Sequence, residues 1–338
     1  MVLTKDETRI FNSITIASEN DPLDPEFPSD DPKFPATPTY PINVSGFSNV
    51  LFKDESHNPT GTHKDRMAWE MVVTYKQFLL AKKTGKISFL PQMSIITSGS
   101  AGFAIQTQLK KYNLPNLKCL VDIKLNPAIK KALEKIGCEI YEHDLSTQSF
   151  HWREILTLTH NPQGIDITSS EALDPTTRFY DWLSYEIINS SPDYCFIPFG
   201  TGNLYENILN INKREITTFK HDPRFQGDIK KLRQCHFIGA STNNSKSKAD
   251  KLYSPHLPFV HYDEQWIRLY KYAGFCGEQS NVHLLEEKYL DDAIKLGTKL
   301  RLTFEPSGIA GLAMLLQMKK IIPKNATVLI INTGKTKY

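Results

Sequence analysis

Apolar and polar positions along the chain follow two different periods that alternate from Asn49 onward. Short, nearly continuous apolar runs predict buried strands, whereas apolar residues at every third or fourth position predict helices with one buried side. Helical patterns follow most of the apolar runs. This alternation predicts an α/β fold with mainly parallel, twisted sheets flanked by helices. The strand candidates are Val50–Phe52, Ser94–Thr97, Leu117–Val121, Glu139–Glu142, Tyr194–Pro198, His236–Gly239 and Thr327–Ile331.

One helix carries clear signals at both of its ends. Asn126 is a typical N-cap residue, because its side chain can accept a hydrogen bond from a backbone N–H of the first turn. Pro127 suits the first helical position, and Gly137 suits the residue just after the last turn. We therefore expect a helix that begins at Pro127 and ends before Gly137.

Three regions of the chain differ in composition and pattern. Residues 20–41 hold many of the prolines and acidic residues, so residues 1–40 are expected to form an extended arm. A compact β-α-β-α-β pattern predicts a smaller lobe at residues 88–145. This lobe is inserted in a larger one formed by residues 41–87 and 146–338, which makes a two-lobed molecule. In such sheets ligands bind at loops beyond the carboxyl ends of strands.

The composition is that of an ordinary soluble globular protein: of 338 residues, 40% are hydrophobic and 23% are charged. The net charge of +3 is too small to indicate nucleic acid or a membrane surface as a partner. Met1–Asn20 has no signal-like apolar core, and no apolar stretch is as long as a membrane span. A cytoplasmic location is therefore the default expectation.

The cysteines are scattered and form no CxxC pair or Cys/His cluster, so the sequence does not support a metal site. Most of them lie in apolar, strand-like runs. Buried, reduced thiols are the expected state. The five are Cys119, Cys138, Cys195, Cys235 and Cys276.

The first candidate for chemistry is a lysine between a Pro/Gly turn and a helix. Residues 58–66 read NPTGTHKDR, and apolar residues at helical spacing follow them. Lys64 is thus expected near a helix N-terminus, where the macrodipole and partial burial both disfavour an ammonium. A neutral, held amine is what a Schiff-base lysine must be. The alternative is a surface lysine at a helix start.

Two further loops lie between a strand and a helix and contain small residues. Residues 96–104 read ITSGSAGFA, and N–H groups at such a helix start suit a carboxylate, although a tight turn explains the segment equally well. Residues 197–204 read IPFGTGNL, which has the composition of a phosphate-binding loop. Neither Walker A spacing nor a G-x-G-x-x-G fingerprint occurs, which disfavours a dinucleotide-binding protein. Near the C-terminus, residues 304–311 (FEPSGIAG) open a helix and residues 330–335 (IINTGK) end a strand.

The order of these segments resembles the fold-type II pyridoxal-phosphate enzymes, the tryptophan synthase β family. Threonine synthase, threonine dehydratase and cysteine synthase are members of that family. The lysine segment at residues 53–66, KDESHNPTGTHKDR, is most similar to that of threonine synthase. The resemblance covers about residues 36–338, nearly the whole chain.

The resemblance implies a role for each segment. Lys64 would bind pyridoxal 5'-phosphate as a Schiff base and later move the substrate α-proton. Thr333 would face the pyridine nitrogen, and its neutral hydroxyl would favour elimination and replacement at the β or γ carbon. The residues implied to hold the cofactor phosphate are Gly200, Thr201, Gly202 and Asn203. Those implied to bind the substrate carboxylate are Ser98, Gly99, Ser100, Ala101 and Gly102.

Three positions raise questions of their own. The family commonly has Asn, which contacts the cofactor 3-oxygen, where this chain has the shorter Ser100. His63, as in the tryptophan synthase β subunit, is a candidate donor to the cofactor phosphate; the alternative is a histidine packed at the helix start. Arg66 would suit a phosphorylated substrate, or else pairs with Asp65 or Glu70 on a helix face.

The implied function is a threonine synthase-like lyase of amino-acid biosynthesis, which converts O-phosphohomoserine to threonine. A small amino acid is the expected partner, and homodimers are common in the family. Two rival reactions stay open, namely β-replacement as in cysteine or cysteate synthase and deamination as in threonine or serine dehydratase. A catalytically silent binding protein is the alternative of another class, because Ser100 replaces the family Asn. The aromatic residues Tyr180, Trp182 and Tyr185 are expected in the core and not at the cofactor.

Overall fold

The computed structural model describes residues 36–146, 150–168, 179–253 and 264–338. Within these residues the strands form two separate sheets. The strands of the six-stranded sheet are β1 (Thr39–Pro41), β2 (Asn49–Asp54), β7 (Tyr194–Pro198), β8 (His236–Ser241), β9 (Asn281–Leu284) and β10 (Thr327–Asn332). Those of the four-stranded sheet are β3 (Met93–Ile96), β4 (Lys118–Asp122), β5 (Glu139–His143) and β6 (Ile165–Asp166).

Both sheets are parallel apart from one edge strand. The larger sheet has the order β1-β2-β10-β7-β8-β9, and β1 pairs antiparallel with β2. The smaller sheet has the order β5-β4-β3-β6, with all pairs parallel. At the centre of the larger sheet, Val328 of β10 lies opposite both Val50 and Tyr194. The predicted fold class is therefore confirmed.

Helices connect the strands, as parallel pairing requires. They are α1 (Lys64–Lys83), α2 (Ser100–Lys111), α3 (Pro127–Ile136), α4 (Trp152–Leu158), α5 (Asp181–Ile188), α6 (Asn203–Thr217), α7 (Ile229–Gln234), α8 (Glu264–Tyr272), α9 (Glu287–Lys299) and α10 (Ala310–Met318). Short 3₁₀ turns occur at Glu55–His57 and Asp250–Leu252. None of the helices in the described ranges is long and apolar enough to cross a membrane.

The central strands are buried on both faces, which explains their continuous apolar runs. Leu329 and Ile331 of β10 pack into one core cluster, whereas Val328 and Ile330 pack into another on the opposite face. Burying each such side chain stabilises the fold by about 1.5–3 kcal/mol. The larger sheet is thus a rigid support, and the loops at its strand ends are held in place by two cores.

The seven predicted strands and the capped helix are all confirmed. In α3, the Asn126 side chain accepts a hydrogen bond from the N–H of Ala128 at 2.9 Å, and Gly137 ends the helix with φ of 111°. The sequence pattern missed β1, β6 and β9, because they are short and lack an apolar run. All five cysteines are free and buried, as expected.

The predicted lobes correspond to the sheets only in part. The four-stranded sheet takes β6 from beyond residue 145, because β6 pairs with β3. Of the predicted arm at residues 1–40, residues 1–35 lie outside the described residues, and Thr39–Pro41 form β1. The lobe boundary at 88–145 stays a prediction.

Candidate active site

A cavity of about 320 Å³ opens at the carboxyl ends of strands from both sheets. Ile96 of β3, Asp122 of β4 and Pro198 of β7 all contribute to its wall, as does Thr333, which directly follows β10. A volume of this order is at the lower end of the range for sites that bind small molecules. The cavity therefore lies where open parallel sheets bind their ligands.

Lys64 is the first residue of α1, and its side chain lines the cavity. Its Nζ lies 2.9 Å from the hydroxyl of Tyr180 and 5.6 Å from the centre of that ring. Tyr180 is almost fully buried, as predicted, but its hydroxyl contacts the candidate Schiff-base lysine. Tyr180 thus belongs to the core cluster, and it also contacts the lysine at the edge of the cavity.

The loop before Lys64 is held by backbone pairing and by a carboxylate. Thr60 donates hydrogen bonds to Asp65 from its N–H at 3.0 Å and from its hydroxyl at 2.8 Å. Gly61 pairs with the chain after β10, and its oxygen accepts from the N–H of Lys335 at 2.8 Å. A Cβ on Gly334 would lie 2.1 Å from the Gly61 oxygen, so this approach requires glycine. The chain after β10 thus fixes the position from which Lys64 enters the cavity.

His63 is the N-cap residue of α1 and also lines the cavity. Its ring stacks on Tyr180 with centroids 5.4 Å apart, and its backbone N–H donates to the Thr333 oxygen at 3.1 Å. Burial, with the neighbouring Lys64 charge as the second cause, lowers the pKa of His63 to about 3. His63 is therefore a neutral imidazole at physiological pH, with a single N–H. Its Nδ1 lies 3.4 Å from the Thr333 oxygen, which can only accept, so this contact uses that N–H and leaves Nε2 as an acceptor.

The glycine loop forms one wall of the cavity at the start of α6. Gly200, Thr201, Gly202 and Asn203 all line it, and α6 is a 15-residue helix that begins at Asn203. The first N–H groups of a helix lack partners within the helix and attract an anion. Gly202 has φ of 87°, a conformation that favours glycine. With two side-chain donors and no carboxylate in the loop, this wall fits the phosphate of pyridoxal phosphate.

The serine loop is only partly at the cavity. Ser98, Ser100 and Ala101 line it, but Gly99 and Gly102 are not among the lining residues. The N–H groups of both glycines donate to the hydroxyl of Thr97, at 3.1 and 3.3 Å. These two donors are therefore used within the protein, so the structure does not place Gly99 and Gly102 as carboxylate contacts. Gly102 instead leaves room for Cys119 and Leu133.

A hydrogen-bonded group that the sequence did not indicate lies beside Ser100. The Ser100 hydroxyl is 2.8 Å from Nζ of Lys251 and 2.6 Å from the hydroxyl of Thr336. Lys251 also pairs with Glu305 at 2.6 Å, and Lys251 and Glu305 both line the cavity. Glu305 belongs to a segment that the sequence had marked, whereas Lys251 follows a polar run that carries no signal.

Arg66 does not reach the cavity. Its guanidinium donates to Glu186 at 2.8 Å and to Glu55 at 3.2 Å, and its side chain is almost fully buried. Burial opposes ionisation of Glu55, but the charges of Arg66 and Lys53 outweigh burial and hold the pKa of Glu55 below its ordinary value. The structure thus gives Arg66 two carboxylate partners away from the ligand space. These differ from Asp65 and Glu70, the partners that the sequence suggested.

The fold and the cavity together describe a two-sheet α/β protein in which a lysine, a glycine-rich loop at a helix start and a threonine hydroxyl line one cavity. Residues 34–334 match the model of the family described as pyridoxal-phosphate dependent enzyme. The chain belongs to this family, and pyridoxal phosphate is the family's cofactor. A search of curated protein sequences finds no match to the chain.

Solved structures of several such enzymes are similar to this chain. O-ureido-L-serine synthase has a TM-score of 0.64 at 17% identity, with 89% of each chain covered. Maize serine racemase has a TM-score of 0.64 at 14% identity, covering 98% of this chain and 93% of its own. Diaminopropionate ammonia lyase from Escherichia coli has a TM-score of 0.64 at 15% identity, covering 96% and 89%. At these identities the likeness concerns the fold.

Proposed function

We propose that this protein catalyses elimination or replacement at the β or γ carbon of an amino acid, with Lys64 as the cofactor-binding and proton-moving residue. One observation carries the proposal: the Lys64 amine, the glycine loop and the serine loop all open into the same cavity. Each of them alone has an ordinary structural explanation. Their convergence gives a single ligand an amine, an anion site and hydroxyl donors within one space.

The cofactor, when bound, supplies an electron sink for negative charge at the substrate α-carbon. The chain's own residues would do the rest. The Lys64 amine would take the α-proton, and the Tyr180 hydroxyl at 2.9 Å would orient that amine. The neutral Thr333 hydroxyl, which lines the cavity, would accept or donate a hydrogen bond without adding charge.

Within this class we favour a threonine synthase-like reaction on O-phosphohomoserine. The similarity of residues 53–66 to the threonine synthase lysine segment supports this choice. In that reaction phosphate leaves the γ carbon and water adds at the β carbon.

A β-replacing synthase or a serine or threonine dehydratase is the second candidate. The position of Arg66 favours it, because Glu55 and Glu186 hold that guanidinium away from the cavity. A phosphorylated side chain therefore lacks the arginine partner that the sequence suggested, whereas an unphosphorylated serine-type substrate needs none. The catalytically silent alternative still depends on Ser100 in place of the family Asn.

The test has two stages. Purified protein mixed with pyridoxal phosphate should gain a visible absorption band, which Lys64→Ala should abolish, whereas Lys83→Ala on the same helix should keep it. The coloured protein is then supplied with O-phosphohomoserine, L-serine, L-threonine or O-phosphoserine, and phosphate, threonine and 2-oxo acids are assayed. A colourless wild type contradicts the enzyme proposal. A coloured protein that turns over none of the four supports the silent alternative.

A further inference from the structure

Lys251 places a cation beside the serine that departs from the family pattern. Its ammonium lies 2.8 Å from the Ser100 hydroxyl, 2.6 Å from a Glu305 oxygen and 3.3 Å from the Thr336 hydroxyl. An ammonium has three protons, all of which it can only donate. These three oxygens therefore account for all its donors, and the Ser100 oxygen must accept.

The direction of the Ser100–Thr336 hydrogen bond determines which proton is left for a ligand. The two oxygens are 2.6 Å apart, so one hydroxyl donates to the other. Thr336 is buried, does not line the cavity and, among the described residues, has no other acceptor for its proton. Thr336 is thus the better donor, because the opposite direction would leave its buried O–H without a partner. Ser100 then accepts twice and keeps its own proton for the cavity that it lines.

We propose that Lys251 is a positioning residue that makes Ser100 a polarised donor to an anionic oxygen of the ligand. The inference rests on the proposed function, which puts a ligand in this cavity. Accepting a charge-assisted hydrogen bond draws electron density from the Ser100 oxygen, which strengthens the hydrogen bond that the Ser100 O–H donates. Glu305 offsets the charge of Lys251, so the lysine acts through the serine and not as a free cation. Lys251 and Ser100 together thus supply the hydrogen-bond donor that the longer Asn side chain would supply at this position.

Two groups of the bound ligands have an anionic oxygen that could accept this hydrogen bond from Ser100. One is the ring 3-oxygen of the cofactor, and the other is the α-carboxylate of the substrate. Both are anionic acceptors, so the same donor suits either. The experiment distinguishes them with ligand pairs that differ only in this oxygen or carboxylate.

The cofactor arm uses the apoprotein, for which binding is followed by intrinsic fluorescence. Dissociation constants are measured for pyridoxamine 5'-phosphate and for its analogue without the ring 3-oxygen. If Ser100 donates to this oxygen, Lys251→Gln should weaken pyridoxamine phosphate about tenfold and leave the analogue within about twofold. Lys248→Gln is the matched control, because this exposed lysine pairs with Asp291 outside the cavity.

The substrate arm uses the cofactor-loaded protein and its visible spectrum. Dissociation constants are measured for L-serine and for ethanolamine, which is the same molecule without the carboxylate. If Ser100 donates to the carboxylate, Lys251→Gln should weaken L-serine about tenfold and ethanolamine by less than about twofold. In both arms, adding Lys251→Gln to Ser100→Ala should cause no further loss, because the lysine acts through the serine.

Equal weakening of both members of each pair would show a merely structural role and overturn the inference. The same holds if Lys251→Gln and Lys248→Gln bind all four ligands alike. Failure of the proposed function is seen in wild type alone, as a protein that gains no visible band with pyridoxal phosphate. If wild type gains the band but Lys251→Gln does not change the binding of any of the four ligands, only the inference about Lys251 is overturned.

Discussion

The hydroxyl of Tyr180 lies 2.9 Å from Nζ of Lys64, although 116 positions separate the two residues in the chain. Tyr180 directly precedes α5, and Lys64 begins α1. The same tyrosine ring stacks on His63, so one side chain contacts two neighbouring residues of the lysine loop. Tyr180 therefore directs the amine and packs the loop that carries it.

Tyr180→Phe should slow exchange of the substrate α-proton with solvent about tenfold, because the amine loses its orienting hydrogen bond while the ring keeps its packing. NMR of a bound amino acid in deuterated water measures this rate. Tyr75→Phe is the matched control, since the hydroxyl of this buried tyrosine bonds to the Pro91 oxygen at 2.8 Å outside the cavity. Equal rates in the two variants would rule out a role for the Tyr180 hydroxyl.

Arg66→Ala should lower the free energy of unfolding by about 3–5 kcal/mol, because it leaves the fully buried Glu55 without its main counter-charge. Denaturant titration measures the change. Lys130→Ala, which removes the partner of Glu142 from an exposed ion pair, should cost less than about 1 kcal/mol.

Arg66→Lys provides a folded variant for the binding question. It keeps a positive charge between Glu55 and Glu186, and we expect its affinity for O-phosphohomoserine to stay within about twofold of wild type, since the side chain lies outside the cavity. A selective tenfold loss for the phosphorylated substrate would instead make Arg66 a ligand contact.

The protein should become less stable as the pH is lowered, because His63 is held neutral in the folded state. Its pKa is about 3 when folded, against an ordinary value of 6.5. Between about pH 6.5 and 3, the His63 imidazole is protonated in the unfolded chain but stays neutral in the folded protein. Its contribution to folding stability is therefore complete above this window and is lost as pH falls through it. The loss is at most about 1.4 kcal/mol per pH unit. His63→Gln should lack this contribution. Denaturant titrations should therefore show that the difference in free energy of unfolding between wild type and His63→Gln becomes smaller from pH 7 to pH 4.

An identical pH slope in wild type and His63→Gln would contradict this prediction. The Lys64 charge offers a second check, because it is the next cause of the low pKa after burial. Lys64→Met should therefore raise the pKa of His63, which an NMR titration of the ring protons would measure.

Gly334→Ala should disturb the lysine loop and not only strain its own backbone. Gly334 has φ of 98°, and an added Cβ would lie 2.1 Å from the Gly61 oxygen. Gly85→Ala separates the two effects, because Gly85 has φ of 74° with open space around a Cβ. We expect Gly85→Ala to cost about 1–2 kcal/mol of stability with normal cofactor binding. Gly334→Ala should cost more and also weaken the visible band formed with pyridoxal phosphate. Equal effects would mean that the close approach is unimportant.

Local patterns in the sequence determined the elements of the fold and most of the candidate site. Strands such as β7 and β10 are continuous apolar runs because both of their faces are buried, and α3 has its own N-cap and terminal glycine. Lys64 and the glycine loop, which the order of the loops had singled out, line one cavity. These features depend on neighbouring residues, so they can be read along the chain. Strands β1, β6 and β9 escaped because pairing with neighbours, and not their own pattern, makes them strands.

Only the tertiary structure decided which side chains meet. Arg66 points towards Glu186 and not into the cavity, although the two residues are 120 positions apart in the chain. This direction depends on how α5 packs beside α1. Lys251 reaches Ser100 across 151 positions, and Tyr180 reaches Lys64 across 116. The N–H groups of Gly99 and Gly102 donate to the Thr97 hydroxyl because the turn of the serine loop brings them together. Helix period and composition specify which residues are buried, but the partner of a buried charge or hydroxyl is set by long-range packing, which leaves no local trace in the sequence.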